Sequence, residues 1–193
     1  MSSGIIAVSL DDNDELLGAR LTNGENYMFL GTHEGKAIRF PEKEVRAMGR
    51  PARGVRAMDL AEGDYIIGAE VVEKEGLILS ISENGYGKRT SLGDYRLTAR
   101  GGKGVINMKV TPRIGKVVAI LSVKEDTDLM IITRDGKIIR LESGEIRQAG
   151  RSTQGVRLVR MEEGDQVAAA SVIPDAGEAG IGNGNGQNDL PLQ

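Results

Sequence analysis

The chain of 193 residues has no cysteine and no tryptophan, a single histidine, and aromatic residues at only 3% of the total. Without cysteine there are no disulfides and no thiolate metal sites, and nothing points to an oxidising compartment. One histidine, His33 in an expected hairpin turn, excludes a catalytic triad or a multi-histidine metal centre and reads as an exposed turn residue. Scarce aromatics argue against a stacking platform for single-stranded nucleic acid. No run approaches the roughly 18 apolar residues of a membrane helix, and the start MSSGIIAVSLDDNDE is no secretory leader. A soluble cytoplasmic protein is expected.

What the chain does have is a repeat. GKAIRFPEKEVRAMGRPARGV (Gly35 to Val55) returns as GYGKRTSLGDYRLTARGGKGV (Gly85 to Val105) and as GKIIRLESGEIRQAGRSTQGV (Gly136 to Val156). The opening glycines are 50 and 51 residues apart, and so are the closing glycines Gly54, Gly104 and Gly155. A period of this size marks units that bury their apolar faces only by stacking on neighbours.

Each unit predicts four short strands parted by Asp, Asn and Gly clusters. In the first these are Ile5–Leu10, Leu16–Thr22, Tyr27–Thr32 and Lys36–Phe40, the last alternating Lys36, Ile38, Phe40 against Ala37 and Arg39. The second gives Val55–Leu60, Tyr65–Val72, Leu77–Glu83 and Lys88–Leu92; the third gives Val105–Val110, Val117–Val123, Leu129–Arg134 and Lys137–Leu141. Half of a fourth follows in Val156–Met161 and Val167–Ile173. Four strands per unit is the count of a propeller blade, so the expected fold is all-β, with about three and a half blades over residues 3–174. Residues 175–193, rich in Gly and Asn, are expected to be a disordered tail.

Charge follows the same period. The net charge of −3 says little about partners, but residues 35–56 and 85–109 are each +5 and residues 134–160 are +4. Lysine and arginine placed in recurring steps can neutralise successive phosphates of a duplex without reading its bases. Arg39, Arg53, Arg89, Arg100, Arg140 and Arg151 are such recurring steps along one rim of the stacked units. The competing reading is a protein-interaction scaffold whose charges are a solvated surface. The loop Arg100–Gly104 has the glycines of a phosphate cradle but lacks the Ser/Thr that follows the lysine in a nucleotide-binding P-loop. No catalytic constellation, cofactor site or metal site is recognisable, so the chain alone is expected not to be an enzyme.

The series GKAIRF, VRAMGRPARGVRAMDLAEGD, NGYGKRT, KGVINMKVTPRIG and GRSTQGVRLVR resembles the C-terminal domain of the DNA gyrase A protein, and more distantly that of topoisomerase IV, over about residues 3 to 173. The resemblance implies a β-pinwheel whose basic perimeter wraps duplex DNA, supporting ATP-dependent negative supercoiling by DNA gyrase, a type IIA topoisomerase that also contains the rest of gyrase A and its gyrase B partner, in the cytoplasm at the nucleoid. Carried over position by position, the resemblance implies DNA contacts at Lys36, Arg39, Lys88, Arg89, Lys137 and Arg140 in the hairpins and at Arg50, Arg53, Arg100, Lys103 and Arg151 in the connections. It also implies five or six blades, so three and a half form an open arc, part of a longer polypeptide or a pair of associated copies. The family's glutamine-containing box before Gly-Gly-Lys-Gly is not reproduced, since Thr98 stands where the glutamine belongs.

Overall fold

The computed structural model describes residues 4–12 and 14–173, so the expected tail lies outside the described residues. Three hairpins dominate the chain. β1 (Tyr27–Thr32) pairs with β2 (Lys36–Pro41), β4 (Leu77–Ser82) with β5 (Tyr86–Ser91), and β8 (Asp128–Thr133) with β9 (Ile138–Glu142). Each turn closes on Gly35, Gly85 or Gly136 at φ of 79°, 77° and 83°, which glycine adopts without strain. After each hairpin comes a single 3₁₀ turn, at Glu42–Glu44, Leu92–Asp94 and Ser143–Glu145. Among the described residues there is no α-helix, and no helix is long and apolar enough to cross a membrane.

A long strand then returns to each hairpin. β3 (Ile66–Val72) pairs with β1, β7 (Val117–Val123) with β4, and β11 (Val167–Ile173) with β8, all antiparallel. The long strands pack on one another in succession and so form the inner layer of the arc. They surround a 400 Å³ cleft lined by Gly68, Ile120 and Ala169 together with Leu17 and Arg20.

The outermost strand of a blade comes from further along the chain. β6 (Val105–Ile106) pairs with β2, giving the order β3-β1-β2-β6, and β10 (Val156–Arg157) pairs with β5, giving β7-β4-β5-β10. The expectation of four consecutive strands per blade is corrected: around each of the first two hairpins the inner strand (β3, β7) comes from the next unit of the sequence and the outer strand (β6, β10) from the unit after that. The third sheet, β11-β8-β9, has three strands.

The exchange also corrects the expected strands at Ile5–Leu10, Leu16–Thr22 and Val55–Leu60, none of which forms. By the repeat, residues 16–22 stand where β3 does and residues 55–56 where β6 does. Both would pair with a hairpin lying before residue 16, and the described residues contain none there. Their backbone groups therefore have no ladder to join, and Leu21 is 99% exposed.

Strands of one blade bury side chains on both faces. Ile38 and Phe40 pack with Leu30 and Met58, whereas Ala37 faces a second cluster with Phe29, Ile78, Tyr95 and Ile114. Leu79 and Ile81 turn the other way, toward Leu129, Ile131 and Val167 of the third blade. The alternation read in Lys36–Phe40 is thus real, but it separates two cores rather than core from solvent. At about 1.5–3 kcal/mol per buried aliphatic side chain, these between-blade clusters are the main stabilising term.

Gly104 and Gly155, at φ of 70° and 77°, bring the borrowed strands close to the hairpins: a Cβ would lie 2.4 Å from the Ala37 or Gly87 carbonyl oxygen. Gly54 has a similar φ of 84°, yet nothing lies within 4 Å, since among the described residues no hairpin stands beside it. Gly104→Ala is therefore expected to destabilise by about 1–3 kcal/mol beyond the backbone cost shared with Gly54→Ala, measured by denaturant unfolding of the two variants side by side.

Candidate nucleic-acid interface

Since the long strands lie innermost, the sheet order puts β6 and β10 at the outer edge, next to β2 and β5. Cations on these strands and on the loops beside them can reach a ligand running round the perimeter. Lys36, Lys103, Lys137, Arg140, Arg50 and Arg53 are exposed. Lys36 and Lys103 have no ion pair among the described residues. Lys137 pairs with Glu162 at 2.5 Å, Arg53 with Asp11 at 2.5 Å, and Arg140 with Asp128. These carboxylates hold the Lys137 ammonium and the Arg140 guanidinium above their ordinary pKa ranges, so both stay charged. Exposed pairs of this kind are worth little, so a phosphate can replace the carboxylate at small cost.

The structure takes Arg39, Lys88 and Arg89 off the perimeter. Arg39 is 6% exposed and donates to the carbonyl of Leu92 (2.9 Å) in the next blade and to those of Glu73 (3.1 Å) and Lys74 (2.6 Å) in the turn that leads to it. Its guanidinium also lies 4.8 Å over the Tyr27 ring. Arg89, equally buried, repeats the staple one blade later, donating to Ile146 O at 2.7 Å and Gly144 O at 3.1 Å. Arg140 holds the same repeat position, but among the described residues no blade follows the third, and its side chain is exposed and paired with Asp128. One arginine position thus serves two ends.

Lys88 is fully buried because of its register. It stands opposite Ser80 as Ile38 stands opposite Leu30 and Ile139 opposite Ile131, so it occupies an apolar position of the repeat. The true counterpart of Lys36 and Lys137 is Tyr86, one residue after Gly85. Lys88 Nζ donates to the carbonyls of Gly150 (2.6 Å) and Arg151 (2.5 Å), and Thr90 Oγ1 donates to Ala149 O at 2.9 Å, so β5 fixes the loop 149–151. Burial lowers the Lys88 pKa to about 8.

The half-buried Arg100 and Arg151 act as clasps. Arg100 donates to Arg56 O and Arg151 to Ile106 O, each at 3.1 Å, and Arg50 reaches toward Ile6 O at 3.5 Å. Each of the three bonds a carbonyl 44 or 45 residues earlier, tying a connection to the start of its own repeat. The loop after Arg100 is no open cradle either: the Gly101 amide donates to Ala57 O at 2.7 Å, and Gly102 O accepts from the Asp59 amide at 3.0 Å. His33 departs from expectation as well. It lies in the hairpin turn but is half-buried, stacked on Tyr65 with ring centroids 4.6 Å apart, and its Nδ1 lies 3.1 Å from Val117 O.

The candidate contacts read from the sequence omit the cations that flank Tyr86. Arg113 and Arg157 are both exposed, and both approach the Tyr86 hydroxyl. The signal was available in the sequence, since a tyrosine replaces the lysine at one of three equivalent positions while an arginine follows Val156.

These features define a propeller-like β-pinwheel: blades around an inner layer of long strands, outer strands exchanged between repeats, and a cationic outer edge. The model of the DNA gyrase C-terminal domain, a β-propeller family, matches residues 1–23, 26–73, 76–124 and 127–174. The chain belongs to that family. It is similar to the DNA gyrase A protein of Staphylococcus aureus strain MRSA252, with 45% identity over 179 residues, which cover 91% of this chain and 20% of that protein. The chain thus spans about a fifth of the length of that relative. Among solved structures, a DNA gyrase A C-terminal domain superposes with a TM-score of 0.82 at 27% identity, covering 89% of this chain and 58% of that one. The C-terminal domain of a DNA topoisomerase IV does so with the same TM-score and identity, covering 86% and 52%. The matched segments break at residues 24–25, 74–75 and 125–126, each just before a hairpin.

The depressed Lys88 pKa has a measurable consequence. Between pH of about 8 and the unfolded value near 10.5 the unfolded chain holds more protons than the folded one, so stability rises with pH across that window and gains nothing from this group below it. Lys88→Met is expected to remove that rise, as read from urea unfolding at pH of about 7 and about 9.5.

Proposed function

We propose that this chain is a DNA-wrapping module, the C-terminal part of a gyrase A-type protein, which holds duplex DNA against its outer edge through phosphate contacts. The observation that carries the reading is the return of exposed cations at the outer edge of the first and third blades. Lys36 and Lys103 serve the first blade and Lys137 and Arg140 the third, with Arg50 and Arg53 on a preceding connection. Of the eleven positions expected from sequence, these six are assigned as contacts. Arg100 and Arg151 position the loops, and Arg39, Lys88 and Arg89 hold blades together.

A stiff duplex following a curved edge must bend, and the phosphate contacts offset that elastic cost. In the complete enzyme such a wrap presents a passing segment to the strand-passage core, formed by the rest of gyrase A together with gyrase B. ATP hydrolysis there introduces negative supercoils, in the cytoplasm. This chain contributes binding and path, with no chemistry of its own.

The deciding experiment is ligation of a nicked plasmid in the presence of increasing protein. A linking-number change that grows with protein supports wrapping, and binding with no change overturns it. Counterion release also predicts a steep loss of affinity with salt, and Lys36→Ala with Arg140→Ala is expected to reduce the slope of log K against log salt by about 2. The loss should be equal on unrelated DNA sequences, because phosphate contacts carry no base information. By contrast, Arg39→Ala is expected to lower stability by about 1.5–3 kcal/mol and to leave that slope unchanged, checked by unfolding and by salt titration of the same preparation.

A further inference from the structure

The outer edge of the second blade differs from that of the first in a way that preserves its charge. In the first blade the cross-strand pair at the edge is Lys36 opposite Ile106, a cation on the hairpin and an apolar side chain on the borrowed strand. In the second it is Tyr86 opposite Arg157, with the cation moved to the borrowed strand. A second cation, Arg113, arrives from the loop before β7.

The geometry around Tyr86 is specific. Its hydroxyl accepts from Arg157 Nη2 at 3.0 Å and from Arg113 Nε at 3.2 Å, and the two guanidiniums lie 5.6 Å and 5.2 Å from the ring centroid. Hydrogen bonding from Arg157 first and Arg113 second draws the phenol below its ordinary pKa. Asn84 Nδ2 donates to Arg113 O at 3.1 Å and so fixes the loop that carries Arg113. Neither arginine has a carboxylate partner among the described residues, although both are exposed. Two like charges gathered on one uncharged hydroxyl repel each other, and an anion between them would relieve the repulsion. Guanidiniums suit a phosphate because their planar donors match its oxygens.

We propose that Arg113 and Arg157, aligned by the Tyr86 ring and hydroxyl, form a two-arginine clamp for one backbone phosphate group of duplex DNA on the second blade. The inference rests on the wrapping function proposed above and supplies the contact that the burial of Lys88 and Arg89 removed from that blade. Tyr86 is a positioning residue, and the two arginines carry the charge.

The test is a salt titration of the full 193-residue chain on a linear duplex of arbitrary sequence, comparing the parent with Arg113→Gln/Arg157→Gln, Arg113→Lys/Arg157→Lys and Tyr86→Phe. The double Gln variant is expected to make the slope of log K against log salt shallower by about 1.8, while the double Lys variant restores it. Tyr86→Phe is expected to keep the slope but weaken binding by about fivefold, as the arginines lose their hydrogen-bonded alignment. An unchanged slope in the double Gln variant, with the parent still binding in a salt-dependent way, overturns the clamp and leaves the wrapping function standing. A shallower slope that the Lys pair fails to restore overturns it too, because the loss then follows from altered structure rather than from charge. If the parent shows no salt-dependent binding, both proposals fail together.

Discussion

Each of the first two blades is closed by two residues on loan. Val105–Ile106 and Val156–Arg157 satisfy the outer edges of β2 and β5, which would otherwise present open rows of backbone donors and acceptors. The loan makes neighbouring blades inseparable, because a repeat cannot leave without stripping a strand from the blade before it. It sets the glycine requirement at Gly104 and Gly155, where the chain must approach a hairpin carbonyl more closely than any Cβ allows. It also accounts for residues 16–22 and 55–56, which have strand sequences but meet no partner hairpin among the described residues.

Guanidinium staples reinforce the loan. Arg39 and Arg89 each send donors into carbonyls of the following blade, and such charge-assisted bonds, shielded from water, are stronger than their exposed equivalents. Arginine suits the task because its planar fork reaches several carbonyls at once and keeps its charge when partly buried. Lys88 does a related job in the second blade, at the cost of a cation at an apolar position. Two of the carbonyls it satisfies belong to the loop that carries Arg151, so this buried charge orders a connection near the perimeter.

The cations therefore divide by depth. The inner ones hold blade to blade, the half-buried ones clasp connections to the starts of their repeats, and Lys36, Arg140, Arg157 and those on the loops beside them face outward. A chain with a formal charge of −3 can still offer a positive edge because the basic stretches carry an excess of cations while acidic residues gather mainly between them. The Tyr86–Arg157 pair follows the same economy, keeping a cation at the edge of the second blade where the hairpin itself offers none.

The sequence by itself determined the hairpins and the repeat. Turn glycines and β-branched runs act locally, so β1, β7 and β11 fall where expected and the other hairpin strands within two residues of expectation. The period of 50 to 51 residues likewise told of stacked units with recurring charge. Only the tertiary structure decided which strand completes which blade and which cations are free. Residues 5–10 and 16–22 read as strands, yet a strand exists only where a partner supplies its ladder, and that partner lies in another repeat. Arg89 and Arg140 occupy the same place in the repeat, and Lys88 looks in sequence like the counterpart of Lys36. Burial separates them, and burial is set by side chains and carbonyls some 50 residues away in the neighbouring blade, where local sequence cannot reach.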